Sequence, residues 1–215
     1  IRTAQFTIFL AMRQLWPEAT AKMTCTLGSS VYISVAGAKD FSASTLKARV
    51  SELVGQDIPL IRRRVKLQKA IDRFREEGQT DKARLLSWRT VDYFDEYAYG
   101  DFADYYYGEM MPSTGYLAVW DILPADGGFV FVYPDDGNPE ICAKVPPMPN
   151  FFSVFNEGER WGELMECQTV ADLNDLTNSG RIRELIRVNE ALHEKRFSQV
   201  ADQVCQRGAK AVLLA

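Results

Sequence analysis

The side chains able to do chemistry are few and far apart. A single histidine, His193, excludes HExxH sites and any zinc centre built on two imidazoles. Cys25, Cys142, Cys167 and Cys205 form no CxxC pair. Their scatter reads as reduced, mostly buried thiols of a cytosolic protein and favours no disulfide. His193 stands in EALHEKR, beside Glu194 and one turn from Glu190, with no nucleophile to activate. That is the pattern of a helix-surface histidine near carboxylates rather than of a catalytic base. The turn TLGSS (26–30) lacks the lysine and following helix of a phosphate loop. PSTGY (112–116) is turn chemistry around Pro112 and Gly115, yet the hydroxyls of Ser113 and Thr114 and the local amides could also hold an oxyanion. Tyr93, Tyr97, Tyr99, Tyr105, Tyr106 and Tyr107 offer stacking faces, but their segment is acidic and without a cation. They read as packing residues, not as a nucleic-acid platform. Residue chemistry alone shows no active site.

Charge is divided along the chain, although the net is only −4. Residues 60–90 hold ten bases and four acids, a net of +6, whereas residues 91–140 hold eleven acids and no Lys or Arg. Arg62, Arg63, Arg64 and Lys66 form the densest basic run. Two readings stand: a basic face for RNA or a nucleotide, or two segments that neutralise each other in the fold.

The elements that must position these groups follow from periodicity. A chain of 215 residues, 47% hydrophobic, supports one large domain or two small ones. No uncharged apolar run approaches the ~20 residues of a membrane span. The opening IRTAQFTIFL has neither an initiator Met nor a signal-peptide layout, so the chain reads as a soluble piece of something longer. That opening predicts a helix with Phe6, Phe9, Leu10 and the stem of Arg13 on one face, ended by Pro17. VYISV (31–35) predicts a strand, and IPLIRRRVK an edge strand. SASTLKARVSELVGQ predicts a helix capped by Ser42 or Ser44, with Leu46, Val50, Leu53 and Val54 inward. Two short helices follow, LQKAIDRFREEG and DKARLLSWR. Strands are expected near 91–97, 114–123 and 128–133, with ADGG as a hairpin connection. KVPPMPN reads as a linker or strap. Three helices come next: FFSVFNEGERWGELM, TVADLNDLTNSG and RIRELIRVNEALHEKRFSQVADQVCQ. The last carries an apolar stripe of Ile182, Leu185, Val188, Leu192, Val200 and Val204. KAVLLA then offers one short apolar strand.

TAQFTIFLAMRQLWPEAT with KMTCTLGSSVYISV, and KLQKAIDRFREEGQTDKARLL, resemble the second N-terminal domain of threonyl-tRNA synthetase. The resemblance implies an α+β fold, with an editing-domain-like antiparallel sheet and packed helices over 1–145. A C-terminal helical segment over 146–208 is expected to pack on it. In that family the domain clears misacylated tRNA with an HxxxH pair on the first helix and a later CxxxH pair. Aligned through LWP, the first pair falls on Arg2 and Phe6; aligned through PSTG, the second falls on Tyr106 and Met110. All four functional side chains are replaced, so neither metal binding nor that hydrolysis carries over.

A wider resemblance covers nearly the whole chain. PSTGY, NDL…GRIRELI and VNEALHEK, with the segments around them, look like the N-terminal region of bacterial uridine-kinase-like nucleoside kinases. There a synthetase-like domain precedes a P-loop kinase domain. The resemblance implies that 209–215 begins that kinase domain, to which the GxxxxGK[ST] loop, ATP and Mg²⁺ belong. The expected function is a non-catalytic accessory or regulatory domain of a cytoplasmic nucleoside kinase, with that kinase domain as partner. Its degenerate cleft at Arg2, Phe6, Tyr106, Met110, Ser113 and Thr114 could hold a nucleoside or nucleotide. The alternative is an RNA- or nucleotide-binding module using Arg62, Arg63, Arg64 and Lys66. This segment is expected to need no cofactor or metal of its own and to touch no membrane.

Overall fold

A computed structural model describes residues 1–145 and 149–212, with side chains for 1–145 and 157–212. Two compact units emerge: residues 1–67 with 92–147, and residues 68–91 with 148–215. The architecture is α+β, with antiparallel sheets, packed helices and a C-terminal helical segment.

The first unit opens with α1 (Arg2–Leu15), which buries Thr3, Ala4, Phe6, Thr7, Ile8, Leu10, Ala11 and Met12. At 100° per residue these positions span a broad arc that leaves out Phe9, half-buried, and Arg13, exposed. The inward row expected from sequence was therefore set too far round the helix. Thr7 is tolerated inside because its hydroxyl donates to the Thr3 carbonyl at 2.8 Å. Next come β1 (Thr20–Thr26), β2 (Ser30–Ala36) and α2 (Ala43–Gly55). Ser42 caps α2 by accepting from the Thr45 amide, and Leu46, Val50 and Leu53 turn inward as their spacing requires. β1 has no sequence signal of its own, because an edge strand exposed along most of its length shows no apolar alternation.

A four-stranded sheet runs in the order β1-β2-β7-β6, completed by β6 (Asp121–Ala125) and β7 (Gly128–Val132). β7, GFVFV, is buried along its whole length, and its unbroken apolar run reflects cover on both faces. Ile33 pairs with Phe129 and Val31 with Phe131 across β2 and β7. These strands approach so closely that a Cβ on Gly128 would lie 2.0 Å from the Ile33 carbonyl oxygen. Phe6, Ile8, Leu46 and Leu53 close the same core from the two helices. Each such burial stabilises the fold by about 1.5–3 kcal/mol. The second sheet is β3 (Ile61–Lys66), β4 (Tyr93–Tyr99) and β5 (Phe102–Asp104), all antiparallel, with β3 at its edge. The strand expected over 114–123 is instead a short 3₁₀ turn, Thr114–Tyr116, followed by β6. Pairing there is limited to one isolated antiparallel bridge, Pro59 to Ser113, in which the Thr114 amide donates to the Ile58 carbonyl, while the Thr114 hydroxyl donates to the Leu53 carbonyl.

The second unit comprises α3 (Leu67–Glu76), α4 (Thr80–Ser87), α5 (Pro149–Leu164), α6 (Val170–Asn178) and α7 (Ile182–Gln206). Ala70, Ile71 and Phe74 of α3, Ala83 and Leu86 of α4, and Ala171 of α6 are buried. Thr169 and Asp172 form a reciprocal capping box at the start of α6. Arg84 ties α4 to α6 by reaching Asp172 at 2.9 Å and also Asp175, and the Trp88 indole N–H donates to Asp175 at 3.1 Å. The Thr169 hydroxyl, more than Arg84, holds the Asp172 carboxyl below the usual carboxylate range. In α7 no residue is fully buried. Ile182, Leu185, Leu192 and Val204 are half-covered, while Val188 and Val200 of the expected stripe are exposed.

No disulfide joins the cysteines among the described residues; Cys25, Cys142 and Cys167 are half-buried and Cys205 is exposed, so they are less buried than expected. Among the described residues no helix is long and apolar enough to cross a membrane. The expected linker, 144–150, and the expected last strand, 210–215, lie in part outside the described residues, at 146–148 and 213–215.

Candidate functional site

The N-terminal half of α1 and the loop 105–113 converge on one place. Phe6 is fully buried, with its ring edge-on to Phe102 at 5.1 Å and to Tyr106 at 6.2 Å between centroids. The loop is laced down by backbone donors: the Met111 amide donates to the Thr3 hydroxyl at 2.9 Å, and the Met110 amide to the Tyr97 hydroxyl at 3.2 Å. Met110 itself packs against the core. Gly108 takes a φ of +104°, and the Arg2 guanidinium carbon lies 2.9 Å from where its Cβ would be. A side chain there would be strained and would displace the arginine. Burial, and secondarily Asp104, raises the Tyr106 phenol well above its ordinary value. Among the described residues the Tyr106 hydroxyl, shut off from solvent, has no hydrogen-bond partner.

Arg2, Phe6, Tyr106 and Met110 are thus gathered by the fold. Their chemistry is that of a packed aromatic patch with one cation at its rim. No imidazole or thiolate stands among them, and the Phe6 ring fills the space beside Phe102, so this patch does not fit a metal ion.

Ser113 and Thr114 turn elsewhere. The Ser113 hydroxyl donates to Asp57 Oδ1, as does the Gly115 amide at 3.1 Å. The turn after α2 presents this carboxylate from a left-handed backbone, with Asp57 at φ +49°. The PSTG loop does hold an oxyanion, but one supplied by its own chain. Thr114 is fully buried between the Leu53 carbonyl and the Ile58 amide. Nothing in the PSTG motif alone names its acceptor; an Asp two residues past a helix-ending glycine, a position that tolerates left-handed backbone, is the available signal.

The basic run lies on β3, and its register against β4 sets its partners. Arg63 faces Glu96 and Arg64 faces Asp95. Arg63 Nε donates to the fully buried Glu96 at 2.6 Å. On the other face Arg62 and Arg64 both donate to Asp95, at 2.9 and 2.8 Å. The Arg64 hydrogen bond, then Arg62, lowers the Asp95 pKa to about 2. Arg64 also lies over the Tyr93 ring at 4.2 Å. Lys66 is exposed at the strand's end. The three arginines therefore meet acids from the neighbouring strand, as the neutralising reading of the charge pattern requires.

His193 lies on α7 with its ring edge-on to Phe197 at 4.6 Å. Among the described residues no group of three or more His, Cys, Asp or Glu is placed to hold a metal ion.

The chain is 27% identical over 184 residues to threonine–tRNA ligase of Halorhodospira halophila, covering 84% of this chain and 28% of that protein. It is 30% identical over 123 residues to threonine–tRNA ligase of Paraburkholderia xenovorans, covering 55% of this chain and 19% of that protein. The chain is similar to part of a threonine–tRNA ligase. With the α+β architecture, this similarity makes the fold threonyl-tRNA synthetase editing-domain-like. The chain spans between a fifth and a little over a quarter of the length of these relatives. No protein-family model matches it.

Proposed function

We propose that this chain is a non-hydrolytic, synthetase-like accessory domain that serves a neighbouring catalytic domain and splits no ester itself. One observation carries this: Phe6 is buried edge-on against Phe102 and Tyr106, where the resemblance sets an imidazole. A phenyl ring neither binds a metal nor accepts a proton, so it activates no water. Arg2 at the rim retains a cation suited to a phosphate or carboxylate, which supports a ligand-holding role for the patch.

The wider sequence resemblance makes the served domain a cytoplasmic nucleoside kinase of the uridine-kinase type, whose ATP and Mg²⁺ sites belong to that domain. Incubation with mischarged tRNA tests the first part: the deacylation rate equals that of buffer, and turnover overturns it. The coding sequence beyond Ala215 tests the second. A GxxxxGK[ST] loop within about thirty codons supports it, and a stop codon overturns it.

A further inference from the structure

The second unit holds a groove of about 530 Å³ between α5 and α7. Trp161 and Leu192 give it apolar walls. Gly158 stands on its α5 side, and a Cβ built there would meet nothing within 4 Å. Glycine is unfavourable inside a helix, and among the described residues no neighbouring atom demands it here.

The lining carries an uneven charge. Arg196 reaches across to Glu157 and also donates to Gln199 at 3.1 Å, so the guanidinium is matched at one end of the groove. Glu190 lines the same groove, and among the described residues no ion pair matches it. The lining thus holds one carboxylate with no ion pair among the described residues, together with the Trp161 indole, the Asn189 amide and the His193 ring.

We propose that this groove binds a planar organic cation, an amidinium or guanidinium, stacked on Trp161 with its N–H edge on the Glu190 carboxylate. Three properties of the site select that class. The indole face attracts cations. A carboxylate takes two parallel N–H donors from a flat fork, which a round ammonium does not offer. The volume admits a ring with a substituent, more than a lone alkylammonium needs. An anion is repelled by Glu190, and a neutral ring forgoes the charge-assisted bonds. The proposal stands apart from the accessory-domain reading and uses none of the residues of the Phe6 patch.

Calorimetric titration of the full 215-residue chain, with tryptophan fluorescence in parallel, tests it. The probes are benzamidine, Nα-acetyl-arginine amide, its neutral isostere Nα-acetyl-citrulline amide, and tetramethylammonium. The two planar cations are expected to bind about tenfold or more tighter than the citrulline amide and tetramethylammonium. Glu190→Gln is expected to weaken them about tenfold, and Trp161→Leu to weaken them and abolish the fluorescence change. Glu194→Gln, one turn further along α7, is expected to change binding less than about threefold. Unchanged circular dichroism in each variant separates lost binding from lost folding. Equal affinity for the arginine and citrulline amides, no saturation by about 10 mM, or equal losses in the Glu190 and Glu194 variants would each overturn the proposal.

Discussion

The carboxylate of Asp57 receives both the Ser113 hydroxyl and the Gly115 amide, so the PSTG loop is fixed to the turn that ends α2. A Cβ added at Gly115 would lie 2.2 Å from Asp57 Oδ1. Because two donors hold that oxygen, the side chain is unable to swing aside without losing them. Gly115→Ala is therefore expected to destabilise the protein by about 1–3 kcal/mol in urea denaturation. In an Asp57→Gly background the same substitution should cost clearly less, since the clashing group is gone. Equal costs in both backgrounds would show that the contact is not the cause.

Tyr106→Phe tests the buried phenol. Its hydroxyl lacks a partner among the described residues, so removing it removes a desolvation penalty and leaves the ring packing on Phe6 intact. The variant is expected to be more stable by about 1 kcal/mol, with an unchanged denaturant slope. A loss of stability would reveal a bonded hydroxyl.

The arginines of β3 should separate by the burial of their acids. Arg63→Ala leaves the fully buried Glu96 without its 2.6 Å donor, and an expected cost of about 1–3 kcal/mol follows, tempered because half of Arg63 is exposed. Arg62→Ala and Arg64→Ala remove solvent-exposed partners of Asp95 and should cost much less. Thermal unfolding of the three variants gives the ranking, and a larger loss at Arg64 than at Arg63 would contradict it.

Acid should weaken the same sheet through Asp95. Its folded pKa, about 2, lies below the ordinary carboxylate value, so its contribution is complete above about pH 4 and vanishes as pH falls through about 2. Carboxyl NMR titration should place the Asp95 midpoint near 2 in the parent. In Arg64→Ala, which removes the largest cause, the midpoint should rise toward 4. An unmoved midpoint would assign the shift elsewhere.

RNA binding gives the last test. With Arg62, Arg63 and Arg64 engaged by acids of β4, few cations of this run remain for phosphates. Filter binding to tRNA at two salt concentrations should show weak association, unaffected by Arg62→Ala. A steep salt dependence that Arg62→Ala reduces by about one unit of slope would restore the RNA-binding reading.

Sequence alone determined what depends on neighbours along the chain. Helical spacing of Leu46, Val50 and Leu53 after a Ser42 or Ser44 cap specified α2, and the apolar run GFVFV specified a strand. The missing imidazoles and thiols at Arg2, Phe6, Tyr106 and Met110 were legible without any coordinates. Tertiary structure alone decided which distant groups meet. β3–β4 register chose Asp95 and Glu96 as the arginines' partners; a one-residue slip would have moved every arginine to the opposite face. Asp57 meets a loop 56 residues away, and α3 and α4, which lie between strands of the first unit, fold with the C-terminal helices. Periodicity records which face of an element is apolar, but not what covers it, because pairing across long loops is settled by packing of the whole chain.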